Sequence, residues 1–429
     1  MIGRVGCSPS PGGTLRYTRV LALLAIGAAL GTAGCESSNT LSAAPERSAP
    51  GPATATAPAA PAGTTTLVLP TPGTIGAPAT SGASTVASGA PAVSTMTPTA
   101  TAQPTSLPVW SPPANAVPLP TPDGAAEVGV AASGLPNTVV YYPAVAGTGR
   151  GHYRYLVPDL AVAAGLDPAQ TDRVLSTAQI DATPTPAAVP RPVMLLTPGW
   201  RSVIALSTAL AEDLASHGYI VLATQTDVVA EWRHPSTTPE ERQARLDIIQ
   251  RQLDLLRRPA LAALVGPIDV YRVAVGGHSY AGTIAFDASP GSDRITAAVD
   301  LDGSARGEAV RAPVARPTLI LVTVDEGTTS DPLLGQFAAR SPEMVTVGEL
   351  DALHMDITDA ATIPTLLGTS VFSTLIGMVG PSGTTDASTI VVRYLDAILG
   401  TPPRQPTARE LVHGLHSATA DPFGAQQPG

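Results

Sequence analysis

The stretch Val273 to Phe286, VAVGGHSYAGTIAF, constrains this chain more than any other. The apolar run from Tyr271 to Val275 reads as a buried strand, Gly276 and Gly277 pinch the chain, and small residues then open a helix. Ser279 stands at the apex, in Gly277-His278-Ser279-Tyr280-Ala281-Gly282. A strand that turns directly into a helix holds its apex residue at strained backbone angles and lifts that side chain clear of the sheet. The residues two places to either side must then be very small. Here they are Gly277 and Ala281, so one methyl group has to be accommodated, and adjacent Gly282 is expected to relieve the crowding. Chance Gly-x-Ser-x-small matches are common in a chain rich in Ala and Gly, but they lack the strand before and the helix after.

A serine hydroxyl is a poor nucleophile at neutral pH. It needs an imidazole to take its proton, and a carboxylate to orient that imidazole. For a serine on such a turn the acid follows it in the chain and the histidine comes last. Among the seven histidines, His152, His217 and His234 precede the serine and His278 lies inside the turn. His413 and His416 sit in a Pro-flanked tail, which leaves His354, in Leu353-His354-Met355-Asp356, just past the last strand. The residues alone leave the acid open. Asp302 closes one apolar strand and Asp325 closes the next, while Asp300 shares a side with Asp302 by period-two alternation and is a weaker third.

Acyl chemistry also requires two backbone N–H groups aimed at the oxygen on which negative charge develops. The apolar strand Pro192 to Thr197 ends in Pro198-Gly199-Trp200-Arg201 before a helix. Trp200 is therefore one donor candidate, and Tyr280, directly after the serine, is the other. The indoles of Trp200 and Trp232 are expected to wall the pocket.

The remaining pattern is one of alternation. Thr138 to Tyr142 reads as an early strand, followed by a loop-rich segment to about residue 190 with a helix near 157–165. A helix from Val203 to His217, a strand from Tyr219 to Thr224, and helices from Pro239 to about Leu264 come next. Leu246, Ile249, Leu253 and Leu256 mark the buried face of the last, and its Arg and Glu residues read as a solvated face. Strands follow at Ile295 to Leu301, Thr318 to Val324 and, more weakly, Met344 to Glu349. Strands alternating with helices predict an α/β fold with a mostly parallel central sheet, covered by helices on both faces.

Outside this region the chain has a different character. Arg4, Arg16 and Arg19 precede the apolar run Val20 to Leu30, and small residues lead to Gly34-Cys35. This reads as an export signal over 1–34, too short for a stable membrane span. Its end resembles a bacterial lipobox, with Thr32 where leucine is usual, and implies lipidation of Cys35 on the outer face of a membrane in the cell envelope; plain secretion is the alternative. Residues 35–125 are dominated by Pro, Thr, Ala, Ser and Gly, which cannot bury enough apolar surface to order themselves, and read as a disordered tether. A globular domain is expected over 126–402, with a flexible tail over 403–429.

Charge and composition exclude several functions. A net charge of −10 leaves no basic stripe for nucleic acid. The basic residues are all Arg, so lysine Schiff-base chemistry and a P-loop are ruled out. Both cysteines, Cys7 and Cys35, precede the globular part, so it holds no disulfide framework or cysteine-bound metal.

From Tyr141-Tyr142-Pro143 to about residue 400, the chain resembles the bacterial relatives of platelet-activating factor acetylhydrolase. It is similar, more distantly, to dienelactone hydrolases and cutinase-like polyester hydrolases. The resemblance is carried by TPGWRS (197–202), LASHGYIVLATQTD (214–227), GGHSYAG (276–282), VDLDG (299–303) and ALHMDITD (352–359). It implies an α/β-hydrolase fold and a serine esterase needing no metal or cofactor. The nucleophile falls on Ser279, the base on His354 and the oxyanion positions on Trp200 and Tyr280. The acid falls on Asp302, one strand earlier than in most α/β-hydrolases. Pro198, where histidine often stands, and Ala281 are departures. The implied substrate is a carboxylic ester with a short or modified acyl chain, from a phospholipid or a polyester. An acyltransferase using the same groups, or a non-catalytic surface binding protein, are the alternatives; dehalogenases and epoxide hydrolases want Asp at the turn. Oligomeric state is not legible.

Overall fold

A computed structural model describes residues 106–231, 233–234, 236–304, 314–324, 332–362, 366, 380–415 and 418–420. The export signal, Cys7, Cys35, Trp232, Asp325 and His416 lie outside the described residues.

The described strands form one sheet: β1 (Val109–Trp110), β2 (Val117–Pro118), β3 (Glu127–Ala132), β4 (Thr138–Ala144), β5 (His152–Arg154), β6 (Val174–Ile180), β7 (Arg191–Leu196), β8 (Ile220–Thr224), β9 (Ile268–His278), β10 (Ala297–Leu301), β11 (Thr318–Thr323), β12 (Val345–Leu350) and β13 (Ala418–Ala420). Its centre is the parallel run β8-β7-β9-β10-β11-β12. Antiparallel pairing begins on one side where β4 meets β8, and on the other where β13 meets β12. The α/β sheet expected from alternation is thus present, with antiparallel extensions at both edges.

Period two decides what each face buries. In β7, Met194 and Leu196 face one core while Val193 and Leu195 face the other; β8 divides Val221 and Ala223 from Ile220 and Leu222 in the same way. A strand buried on both faces has no solvated side, which is why these segments read as unbroken apolar runs. The Thr208–Ser216 and Pro381–Ile398 helices cover the first face. The Pro239–Leu255, Pro259–Val265 and Tyr280–Ala288 helices cover the second.

Topology also places the site. After β7 the chain crosses to β8 on one side, then returns to β9 on the other. In an open parallel sheet, the carboxyl ends of strands flanking such a reversal form a crevice. The Pro198 turn and Ser279 leave the sheet at those two ends.

Two expected boundaries move. Composition assigns 106–125 to the tether, yet β1 and β2 pair with β5 and β6, the Leu119 N–H donates to Leu175 O at 3.1 Å, and Leu119 is buried. Likewise 403–415 and 418–420 are docked: Thr407 and Glu410 form a capping box on the Ala408–Val412 helix, Leu411 is buried, and β13 pairs with β12. Short edge strands tolerate proline, and a few anchoring residues are enough to hold such segments. The helix expected from Val203 begins instead as a 3-10 turn, Ile204–Ser207. The stretch read as loop-rich holds β5 and β6 beside its helix, Pro158–Ala163. No helix among the described residues is long and apolar enough to cross a membrane.

Asp359 ties the C-terminal half to the first face. Its carboxyl accepts the Thr208 and Ala209 N–H groups at 3.0 and 3.1 Å, at the start of the Thr208–Ser216 helix. Burial pushes this acid up to about 8, and the buried Glu212 carboxyl adds to the rise against the lowering by the two amides. Its folded value lies above its unfolded one, so between them the native state holds a proton that the unfolded chain has released. Stability therefore falls as pH rises toward 8, by about 1.4 kcal/mol per pH unit for each such group. Chemical melts at pH 6.5 and 8 are expected to show this loss in the wild type and a smaller one in Asp359→Asn; equal slopes in the two proteins would contradict the assignment.

Candidate active site

Ser279 leaves β9 at φ 59°, ψ −127°, a region that non-glycine residues rarely occupy. Its N–H donates to Leu301 O of β10 at 2.7 Å, and its carbonyl accepts from Gly282 N–H at 2.9 Å as the Tyr280–Ala288 helix begins. The turn is as crowded as its sequence implies. A Cβ on Gly277, at φ 152°, would lie 2.6 Å from Thr197 O and 2.8 Å from the Ala281 methyl. Gly277 therefore makes the room that Ala281 uses. Gly282 does not relieve Ala281 as expected; a Cβ there would stand 1.7 Å from Asp300 Oδ1, so it accommodates a buried carboxyl.

Two of the three candidate acids are described, and they differ in environment. Asp302 follows the last residue of β10 at φ 59°, so strand alternation no longer governs its side chain. Its Oδ2 accepts from His354 Nδ1 at 2.6 Å and from the Thr323 hydroxyl, and its Oδ1 accepts the Thr323 N–H at 2.7 Å. Burial alone would raise this acid. The hydrogen bond from His354, the charge of that ring, and the two Thr323 donors outweigh burial and hold it below the ordinary carboxylate range. Asp300, wholly buried, takes the Gly303 N–H on Oδ1 at 2.9 Å, and its Oδ2 has no hydrogen-bond partner. Burial, and next the charge of Asp302, push it well above the ordinary carboxylate range. Asp325 lies outside the described residues.

His354 donates through Nδ1, which makes Nε2 its basic nitrogen. His278, which its place inside the turn excludes as the base, packs on this ring, with centroids 4.3 Å apart at 44°. Its Nε2 donates to the His354 carbonyl at 2.9 Å, an acceptor that fixes the tautomer. Burial, and then the charge of His354, lower His278 to about 3, so it remains a neutral clamp on the loop that carries His354. The only signal in the sequence is an imidazole directly before the serine.

The turn after β7 backs onto the serine: a Cβ on Gly199 would lie 3.2 Å from Ser279 Cβ. Neither the Trp200 nor the Tyr280 N–H enters a hydrogen bond among the described residues. Ser279, His354, Gly199, Trp200 and His278 line one small cavity of about 30 Å³, closed on its apolar side by Leu166, Val203, Leu206 and Met355. A larger hollow of about 580 Å³, walled by Trp110, Tyr141 and Tyr153, includes neither Ser279 nor His354. His152, His217, His234 and His413 do not line the small cavity.

A parallel sheet with this reversal, and with a serine on a strand-to-helix elbow at the end of β9, defines an α/β-hydrolase fold. No family model matches the sequence, and no curated protein matches it. Among solved structures the chain is similar to a ferulic acid esterase from Streptomyces cinnamoneus, with a TM-score of 0.55 and 21% identity, covering 71% of this chain and 99% of that one. The likeness is one of fold.

The two small residues of the elbow make a direct test of its packing. Gly282→Ala is expected to lose about 1–3 kcal/mol, because its methyl must displace the Asp300 carboxyl. Ala281→Gly is expected to lose only about 0.5–1 kcal/mol, from helix propensity. Denaturant melts would show it, and a Gly282→Ala protein as stable as the wild type would contradict the packing described.

Proposed function

We propose that the chain is a serine ester hydrolase working through an acyl-enzyme. The observation that carries this reading is the 2.6 Å hydrogen bond between His354 and Asp302, made beside a cavity that Ser279 also lines. In the reaction, His354 Nε2 takes the Ser279 hydroxyl proton as Oγ attacks the ester carbonyl. Asp302 stabilises the imidazolium, and the Trp200 and Tyr280 N–H groups receive the oxyanion. The imidazolium then protonates the leaving alcohol, and a water activated by the same ring releases the acid. This chemistry needs no metal or cofactor.

The cavity beside the serine has an apolar lining from Leu166, Val203, Leu206 and Met355, which suits an acyl group; the short or modified chain is what the resemblance to relatives of platelet-activating factor acetylhydrolase implies. Ester substrates also agree with the name of the esterase of similar fold. We place the enzyme outside the cytoplasm, held by lipid on Cys35 with the Pro/Thr-rich segment as its tether.

Turnover of p-nitrophenyl esters of graded length tests the reading. Acetate is expected to be the best substrate, with rates falling as the chain lengthens. Ser279→Ala should lose both turnover and labelling by an alkyl fluorophosphonate, and Asp302→Asn should lose about 10⁴-fold in kcat. Asp300→Asn, which replaces an acid that burial pushes upward by an amide of the same shape, should stay close to wild type. A Ser279→Ala protein that still turns over, or an Asp302→Asn protein that keeps its rate, would refute the assignment.

A further inference from the structure

Arg245 lies on the Pro239–Leu255 helix, whose Arg and Glu residues read from sequence as a solvated face, yet it is only 1% exposed. Its guanidinium is directed at the turn after β7. Nη1 donates to Pro198 O, and Nη2 donates to Gly199 O at 3.0 Å and to Glu231 Oε1 at 2.7 Å. The second oxygen of Glu231, also buried, accepts the Arg201 N–H at 2.6 Å. The same guanidinium lies 5.0 Å from the centre of the Tyr280 ring. One buried ion pair therefore touches both segments that carry the oxyanion candidates.

Peptide geometry turns these contacts into a direction. The 199–200 peptide is trans, so its C=O and N–H lie in one plane and point in opposite directions within it. Holding the Gly199 carbonyl toward Arg245 turns the Trp200 N–H away from that helix. In the next peptide, Glu231 takes the Arg201 N–H and removes it as a competing donor. Among the described residues Trp200 carries the amide left unbonded, and Gly199 and Trp200 line the cavity with Ser279.

We propose that the buried Arg245–Glu231 pair is a positioning device that aims the Trp200 amide at the oxyanion. The role in turnover rests on the ester-hydrolase reading; the aiming of the peptide does not. A pair kept only for stability would be a poor investment of two charges, since well-packed apolar residues of similar volume do as well or better. Aiming a carbonyl requires a forked donor with fixed geometry, which arginine supplies and lysine does not.

The test compares Arg245→Met, Arg245→Lys and a control, Asp287→Asn. Asp287, on the Tyr280–Ala288 helix, is buried and pairs at 2.6 Å with Arg242 of the helix that carries Arg245. Kinetics on p-nitrophenyl acetate are measured where each protein is folded, and the Gly199–Trp200 peptide is examined in crystals of each variant. Removing one oxyanion donor costs about 10²–10³-fold in kcat, so Arg245→Met should lose about 10²-fold with KM little changed. Arg245→Lys should recover part of the rate, and Asp287→Asn should lose stability while keeping kcat. Crystals of Arg245→Met should show the Gly199 carbonyl turned from its present direction. An Arg245→Met protein with wild-type kcat and an unmoved peptide would overturn the proposal. If that variant does not fold, Arg245→Lys decides in the same way: unchanged kcat and an unmoved peptide overturn it. A wild type without turnover would refute the hydrolase reading alone, and the peptide in the variant crystals would still decide whether Arg245 aims it.

Discussion

The site depends on one backbone constraint: three neighbouring parallel strands must each end in an abrupt turn on the same edge of the sheet. Five non-glycine residues among those described have positive φ, and three of them, Arg201, Ser279 and Asp302, follow the ends of β7, β9 and β10. Conformations of this kind cost of order 1–3 kcal/mol each and persist only where the surroundings over-determine them. The supports are visible in each case. Glu231 takes the Arg201 N–H, Leu301 O takes that of Ser279, and Leu321 O takes that of Asp302 at 2.7 Å. Two of these acceptors belong to the next strand over, so the sheet's own register holds the turns.

With the backbone fixed, burial sorts the ionisable groups. Asp300 and Asp302 are two residues apart and equally hidden, yet one acid is pushed up from the ordinary carboxylate range and the other held below it. The difference is the donor set: a single amide for Asp300, against an imidazole, a hydroxyl and an amide for Asp302. Two titratable groups driven apart in this way can occupy one site without repelling each other's charge. His278 follows the same logic. A charged imidazole against His354 would oppose the imidazolium that the proposed reaction forms, and burial keeps it neutral.

Much of this was legible in the sequence because the relevant physics is local. The elbow needs small residues at fixed offsets, and the strands need apolar side chains at every position, so the strand-to-helix turn at Ser279 and the central strands could be read directly. Asp302 could not be separated from Asp325 by residues alone, because the choice turns on which strand end faces the His354 loop. What stayed hidden is non-local. His278 gains its meaning from a carbonyl 76 residues away. Leu119 and Leu411 anchor segments whose average composition is that of a tether, since an average over a long window dilutes a few buried residues.

Arg245 is the clearest case of a rule that misleads at a site. On a helix rich in Arg and Glu, charge normally marks the wet face, and an arginine in line with Ile248, Ile249 and Gln252 looks like a defect of the apolar stripe. Gln252 shows that the interruption is wider than one residue, since its amide donates to Leu222 O at 3.0 Å and to the Thr224 hydroxyl at 2.8 Å, at the end of β8. Both side chains reach toward the carboxyl ends of β7 and β8, where Pro198 O and Gly199 O lie beyond the last ladder pair of β7. A helix laid across that edge has to supply donors or leave acceptors unmet, at a cost of about 1–3 kcal/mol for each buried group. Polar residues in the stripe of such a helix thus mark where the strands beneath it end, which in this fold is where the chemistry is built.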